Sequence, residues 1–257
     1  MIHTRTLICI LCIAAVPVAA AAFQQKDDLG KQFEDLDTKG DHAGIVALWK
    51  QHPADALGVI DGYLEGALAK IEKGGDANDI KKDQERALRG AKAASEAFGH
   101  PIFSDYAASF VGWNSEQQKK FREGQKVSGA ASAAFRKKDY ETAKKEAQKC
   151  IDLARPLGDW WGYSGGLSML ANAEEQLGNL EVALDTIQQA RVIHHDLGFV
   201  RDEYRDTVTM ARILVSLDRR VRARIVIDQG IELSKIAKNK DGPKALEELK
   251  AKLDEKK

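Results

Sequence analysis

Apolar positions along this chain recur in steps of three and four residues, and no run of alternating apolar and polar residues follows position 22. Such steps gather apolar side chains on one face of a helix, whereas a half-buried strand needs a period of two. Leu167, Leu170, Ala171 and Leu177 form one stripe, and Leu180, Ala183, Leu184, Ile187, Ala190 and Ile193 form the next. Between them stands Leu177-Gly178-Asn179, where glycine supplies the backbone freedom that a helix end requires. The pattern predicts a helix, a tight turn and an antiparallel helix.

The unit returns after 40 residues: Ala143, Ala183 and Ala223 align, as do Ala131, Ala171 and Ala211, and Leu153, Ile193 and Leu233. Cys150, Ala190 and Gly230 make a further column of small residues. Leu157-Gly158 falls on Leu197-Gly198, while the third copy reads Ala237-Lys238 there. A fixed period of this size means one supersecondary unit stacked on copies of itself, an architecture that creates extended binding surfaces. Upstream the pattern is looser. Residues 29–53 read as a hairpin turning at Lys39-Gly40-Asp41-His42 and closed by Pro53. Leu57, Ile60, Leu64, Leu68 and Ile71 mark a helix over 54–73, a loop follows over 74–79, and another helix spans about 80–98. The expected total is five hairpins, two of them poorly matched. At the far end Asp241-Gly242-Pro243 signals a helix start, and Leu246, Leu249 and Leu253 form its apolar stripe. That helix reads as a cap on the open end of the stack, or else as a partner-binding helix.

Leu170-Ala171, Leu177-Gly178-Asn179-Leu180, Ala183 and Ala190 together resemble the tetratricopeptide repeats, with their A-helix, Gly-Asn or Gly-Asp turn and B-helix. Lys138-Asp139-Tyr140-Glu141-Thr142-Ala143 is similar to the same turn. The period departs from the family's usual 34 residues, and six extra residues add about 9 Å of helix. The chain therefore resembles the long-unit branch, of the kinesin light-chain kind; HEAT-like units, with periods near ~40, are the structural alternative. The resemblance implies an all-α, right-handed solenoid of antiparallel helix hairpins. On this reading residues 23–124 hold degenerate hairpins, 125–240 hold three repeats and 241–257 form the capping helix.

Residues 1–22 carry Arg5, an apolar run from Leu7 to Ala19, and Ala20-Ala21-Ala22 ahead of a polar stretch. This is the pattern of a secretory signal peptide cleaved after Ala22, with an uncleaved membrane anchor as the competing reading. Cys9-Ile10-Leu11-Cys12 lacks the small residue that bacterial lipoprotein signals place before their cysteine. Export to the periplasm or the exterior is expected. Without Arg5, 38 of the 39 basic side chains remain against 39 acidic ones, so charge gives no case for nucleic acid or an anionic membrane. Cys150 is left alone among cysteines and reads as a core residue.

Searches for chemistry return little. The Cys9-x-x-Cys12 pair lies in the leader, and adjacent His194 and His195 point about 100° apart on a helix, so they read as solvated residues and not as a metal pair. Gly162-Tyr163-Ser164-Gly165-Gly166 lacks the lysine of a phosphate loop and the residue order of a nucleophile elbow. An enzyme is not expected, nor is a metal or cofactor.

Binding is expected where A-helices of such a solenoid line its concave face. Off-stripe residues there are Ser128, Ser132 and Arg136, then Ser168, Asn172, Glu175 and Gln176, then Arg205 and Arg212. Arg136, Arg205 and Arg212 suit a carboxylate or an acidic peptide, although an ordinary solvated face is the alternative. The Lys and Asn set with which some tetratricopeptide domains clamp a C-terminal carboxylate is not reproduced. Trp160, Trp161 and Tyr163 form a second candidate, as an interface or as packing between units. Two function classes follow: a scaffold for a protein or peptide partner, or an accessory or self-associating module of a cell-envelope complex. A hydrolase using Ser164 is the third and remotest.

Overall fold

The structure, a computed structural model, describes residues 28–236 and 242–255. The leader proposed for residues 1–22 lies outside the described residues, as does the third copy's Ala237-Lys238. Every regular element among the described residues is helical. In chain order these are α1 (28–38), α2 (His42–Gln51), α3 (Ala56–Glu72), α4 (Ala77–Phe98), α5 (Ile102–Gly112) and α6 (Ser115–Arg136). There follow α7 (Tyr140–Ala154), a 3-10 turn (Arg155–Leu157), α8 (Trp160–Gln176), α9 (Leu180–Asp196), α10 (Val200–Ser216), α11 (Arg220–Ile236) and α12 (Gly242–Glu255).

From α6 onward each helix packs on the next, and α6 also touches α8, α8 touches α10 and α10 touches α12. The 40-residue period is written into the helix ends. Helices α6, α8 and α10 stop at Arg136, Gln176 and Ser216, while α7, α9 and α11 start at Tyr140, Leu180 and Arg220. Between each pair one residue takes the left-handed backbone conformation: Lys138 at φ 63°, Gly178 at 84° and Asp218 at 54°. The aligned alanines are buried, as are Cys150 and Gly230 in their column. Gly166 shows what small residues achieve: a Cβ there would lie 2.9 Å from Ile151 Cγ1 and 3.3 Å from the Ile151 nitrogen, so α8 rests directly on α7. At the C-terminal end Leu246 and Leu253 of α12 are buried, and a Cβ on Gly230 would lie 2.6 Å from Leu246 Cδ1.

The first helices are held by larger groups. Phe33, Trp49, Leu57, Ile60, Leu64, Phe103 and Tyr106 form their core, and Trp49 Nε1 donates to the Gly90 carbonyl at 3.1 Å. Asp37 is buried between Arg86 and Arg89, at 2.9 and 2.6 Å. Burial works against its charge, but the two guanidinium groups outweigh burial and lower its pKa. Helix α4 starts at Ala77, earlier than the predicted residue 80, because the Asp76 side chain accepts from the Asn78 and Asp79 nitrogens. Residue 124, read from the sequence as a boundary, falls inside the continuous helix α6. Leu157, Leu197 and Phe199, all near turns of the later helices, join the first core. Trp113 Nε1 donates to the Leu157 carbonyl at 2.9 Å, and Arg122 of α6 reaches Glu65 and Glu72 of α3.

Asp159 caps α8 by accepting from the Gly162 nitrogen at 2.8 Å, and burial pushes its pKa up to about 6 from 3.8. Between those values the folded chain keeps a proton that the unfolded chain has released, so this group's contribution to stability falls as pH rises from about 4 to 6. The full effect is on the order of 3 kcal/mol. Asp159→Asn keeps a capping oxygen without the buried charge. It is expected to flatten that part of the pH profile in urea denaturation and to raise stability at pH 7; an unchanged profile refutes the assignment. Lys138 carries a side chain where the backbone favours glycine, so Lys138→Gly is expected to stabilise by about 0.5–1 kcal/mol. Gly178→Ala, at the equivalent turn, is expected to lower the urea midpoint.

Candidate functional site

Helices α8 and α10 are presented side by side because α9 carries the chain back between them, packing on both. Along them opens a groove of about 610 Å³ that also takes in Ser128 of α6 and Ala245 of α12. Of the residues singled out in the sequence, Asn172, Arg205 and Arg212 line it, together with Ser128 and Ser168. Ser132, Arg136, Glu175 and Gln176 are not in the lining, and Arg136 is exposed at the end of α6.

The polar groups of this groove largely bond one another. Arg212 donates through Nε and Nη2 to both carboxylate oxygens of Glu175, each at 2.5 Å, an arrangement that ties α10 to α8. Arg205 pairs with Asp202 at 2.5 Å within α10 and stays exposed. Asn172 Nδ2 donates to the Ser168 carbonyl at 2.6 Å, and its Oδ1 accepts from Thr209 at 3.2 Å. The arginines expected to await a carboxylate therefore differ: Arg212 already holds Glu175, and Arg205 is engaged by its neighbour.

His194 corrects the expectation of two solvated histidines. Its residue exposure is 4%, and Nδ1 lies 2.7 Å from Asp206 Oδ2. Asp206 is equally buried, and its other oxygen accepts from Ser168 Oγ at 2.8 Å. The signal was present: His194 stands seven residues after Ile187 and four after Ala190, so the buried stripe of α9 runs through His194, while Ile193 is only half-buried. His195, on the other hand, is exposed, with Nδ1 3.2 Å from Glu203. Nothing in the periodicity marks Asp206, whose place in the repeat is taken by Gly166 one unit earlier.

The tryptophans divide between the two readings, packing and interface. Trp160 is half-buried and packs on the first core, edge-on to Tyr163. Trp161 is 40% exposed, lies edge-on to Phe199 and lines the groove. Ser164 is buried and its hydroxyl donates to the Trp161 carbonyl at 3.1 Å, which leaves it closed to a substrate. Burial pushes the Cys150 thiol up to about 11, so it is not a thiolate at neutral pH. No group of three or more His, Cys, Asp or Glu among the described residues is placed to hold a metal ion.

A second hollow, of about 740 Å³, lies along α9 and α11 between Arg191, Val192, His195, Ile225, Asp228 and Leu233. Large apolar side chains stand exposed on these two helices: Val182, Val192, Val221, Ile225 and Ile236, with Val221 at 76%. Compared with models of protein families and with curated proteins, the sequence finds no match.

Proposed function

We propose that this chain is an exported, tetratricopeptide-like scaffold that binds a protein or peptide partner through the groove along α8 and α10. On this reading the later helices form antiparallel hairpins of a right-handed solenoid, and α12 caps its end. The observation that carries the proposal is convergence: Asn172, Arg205 and Arg212, chosen as off-stripe positions, line one groove with the exposed Trp161. Apolar surface beside fixed hydrogen-bonding groups is the usual make-up of a recognition groove, and tryptophan is enriched among residues that dominate binding energy. Export rests on the leader pattern of residues 1–22. Among the described residues no helix is long and apolar enough to cross a membrane.

One observation favours a second reading, an accessory or self-associating module held by its flank. Five large apolar side chains stand exposed on α9 and α11, two of them, Val192 and Ile225, beside one hollow, and clustered exposed apolar surface marks interaction sites. Photo-crosslinking separates the two. Benzoylphenylalanine at Trp161, an exposed aromatic position, is expected to capture a polypeptide in cells, whereas the same residue at Val221 is not. Capture from Val221 alone establishes the flank reading, and the absence of any adduct from Trp161 removes the groove reading.

A further inference from the structure

We propose that Nε2 of His194 is the specificity acceptor of the groove along α8 and α10, receiving an N–H or O–H of an uncharged group on a bound polypeptide. This rests on the groove being the binding face. The chain of reasoning starts at Asp206, an ionisable group buried among α8, α9 and α10. As a carboxylate it only accepts hydrogen bonds, so both of its neighbours donate: the Ser168 hydroxyl to Oδ1 at 2.8 Å and the His194 ring to Oδ2 at 2.7 Å. The Nδ1 atom therefore carries a proton, and we take the ring in its neutral form, in which Nε2 keeps an in-plane lone pair.

That lone pair has no hydrogen-bond partner among the described residues. It is also not sealed: the single closed-off, unpartnered side-chain polar atom among the described residues is His100 Nδ1. Since His194 lines the groove while its residue exposure is only 4%, the opening through which Nε2 meets solvent is the groove itself. The ring is fixed from two sides, by Asp206 and by Phe199 at a centroid distance of 6.1 Å. A buried, oriented acceptor has little freedom to lose on binding.

The neighbours decide which ligand chemistry fits. Arg212 is held by Glu175, Arg205 by Asp202, and Asn172 uses both ends of its amide within the chain. A lone pair backed by a carboxylate repels a ligand carboxylate and selects a donor. Backbone amides and the side chains of Asn, Gln, Ser and Thr supply such donors, and the exposed Trp161 offers a flat apolar surface for an adjacent side chain. The partner class is thus a polypeptide segment read through a neutral donor, not an acidic tail.

The test uses the full chain against a displayed library of random 12-residue peptides, with affinities of the recovered peptides measured for three proteins: wild type, His194→Phe and Trp161→Ala. His194→Phe is expected to weaken binding at least tenfold, and Trp161→Ala to weaken the same peptides. Ring nitrogen NMR of the wild type, which needs no variant to fold, is expected to show Nε2 unprotonated in the free protein and shifted on peptide addition. Recovery of no peptide removes the groove reading and this inference together. Peptides that depend on Trp161 but bind His194→Phe within twofold, with Nε2 unmoved, overturn this inference and leave the groove reading standing. A protonated Nε2 in the free protein at pH 7.5 also overturns it.

Discussion

Close approach of neighbouring helices through small side chains is the constraint from which the later part of this molecule follows. A single amphipathic helix pair cannot bury its apolar face, and only contact with the next pair removes that surface from water. Ala131, Ala171 and Ala211, and Ala143, Ala183 and Ala223, lie on the packed faces and are all buried. At Gly166 even a methyl group would press on the Ile151 backbone. Spacing of these positions at 40 residues fixes where each helix must cross the last, and the helix ends repeat with it. Overpacking at such points costs about 1–3 kcal/mol, so the columns admit little variation. The groove is a consequence of the same geometry. Small residues on the packed sides of α8 and α10 draw these helices together with α9, and their remaining faces form its walls.

The earlier helices solve the same problem with bulk. Phe33, Trp49, Phe103, Tyr106, Phe110, Trp113 and Phe121 fill their core, and the indole nitrogens of Trp49 and Trp113 both find backbone carbonyls. A buried indole N–H without a partner would cost roughly 1–3 kcal/mol, so these bonds belong to the packing and not to its surface. The second of them reaches Leu157, in the turn between α7 and α8. Gly198, between α9 and α10, comes so near Pro53 that a Cβ would lie 2.8 Å from its carbonyl oxygen. Successive turns of the later helices therefore rest on the first ones. A plain continuation of repeats does not describe this junction.

What the sequence made legible followed from periodicity, and what it hid followed from tertiary chemistry. The 40-residue offset predicts the turns at Lys138, Gly178 and Asp218, although only one of these is a glycine, because the alanine columns place them. The apolar stripe of α12 is equally plain, since Leu246 and Leu253 are buried as their spacing requires. Helix α5 escaped: Ile102–Gly112 is short, and its burial depends on α3, from which the whole of α4 separates it, as well as on α4 itself. In the groove, the off-stripe rule finds Asn172, Arg205 and Arg212 because it needs only helix geometry. It does not find that Glu175 neutralises Arg212 across 37 residues, nor that the inward His194 meets Asp206, since such pairings are properties of the assembled helices.

The buried trio of Ser168, Asp206 and His194 is hard to account for as a stabilising device. Bringing a carboxylate and an imidazole out of water costs free energy that their mutual attraction seldom exceeds, and an apolar pair of similar volume commonly holds two helices as well or better. Most inward positions of α9 follow that cheaper course, as Leu184, Ile187 and Ala190 do. The trio has a feature that packing does not call for, namely one ring nitrogen left without a partner at the floor of a groove while the other is fixed by a carboxylate. On the proposed reading, the oriented acceptor at the end of this trio is what a polypeptide in the groove would meet. A hydrogen bond to that nitrogen would be directional, which contact with the apolar lining residues Met169, Val208 and Ala245 is not.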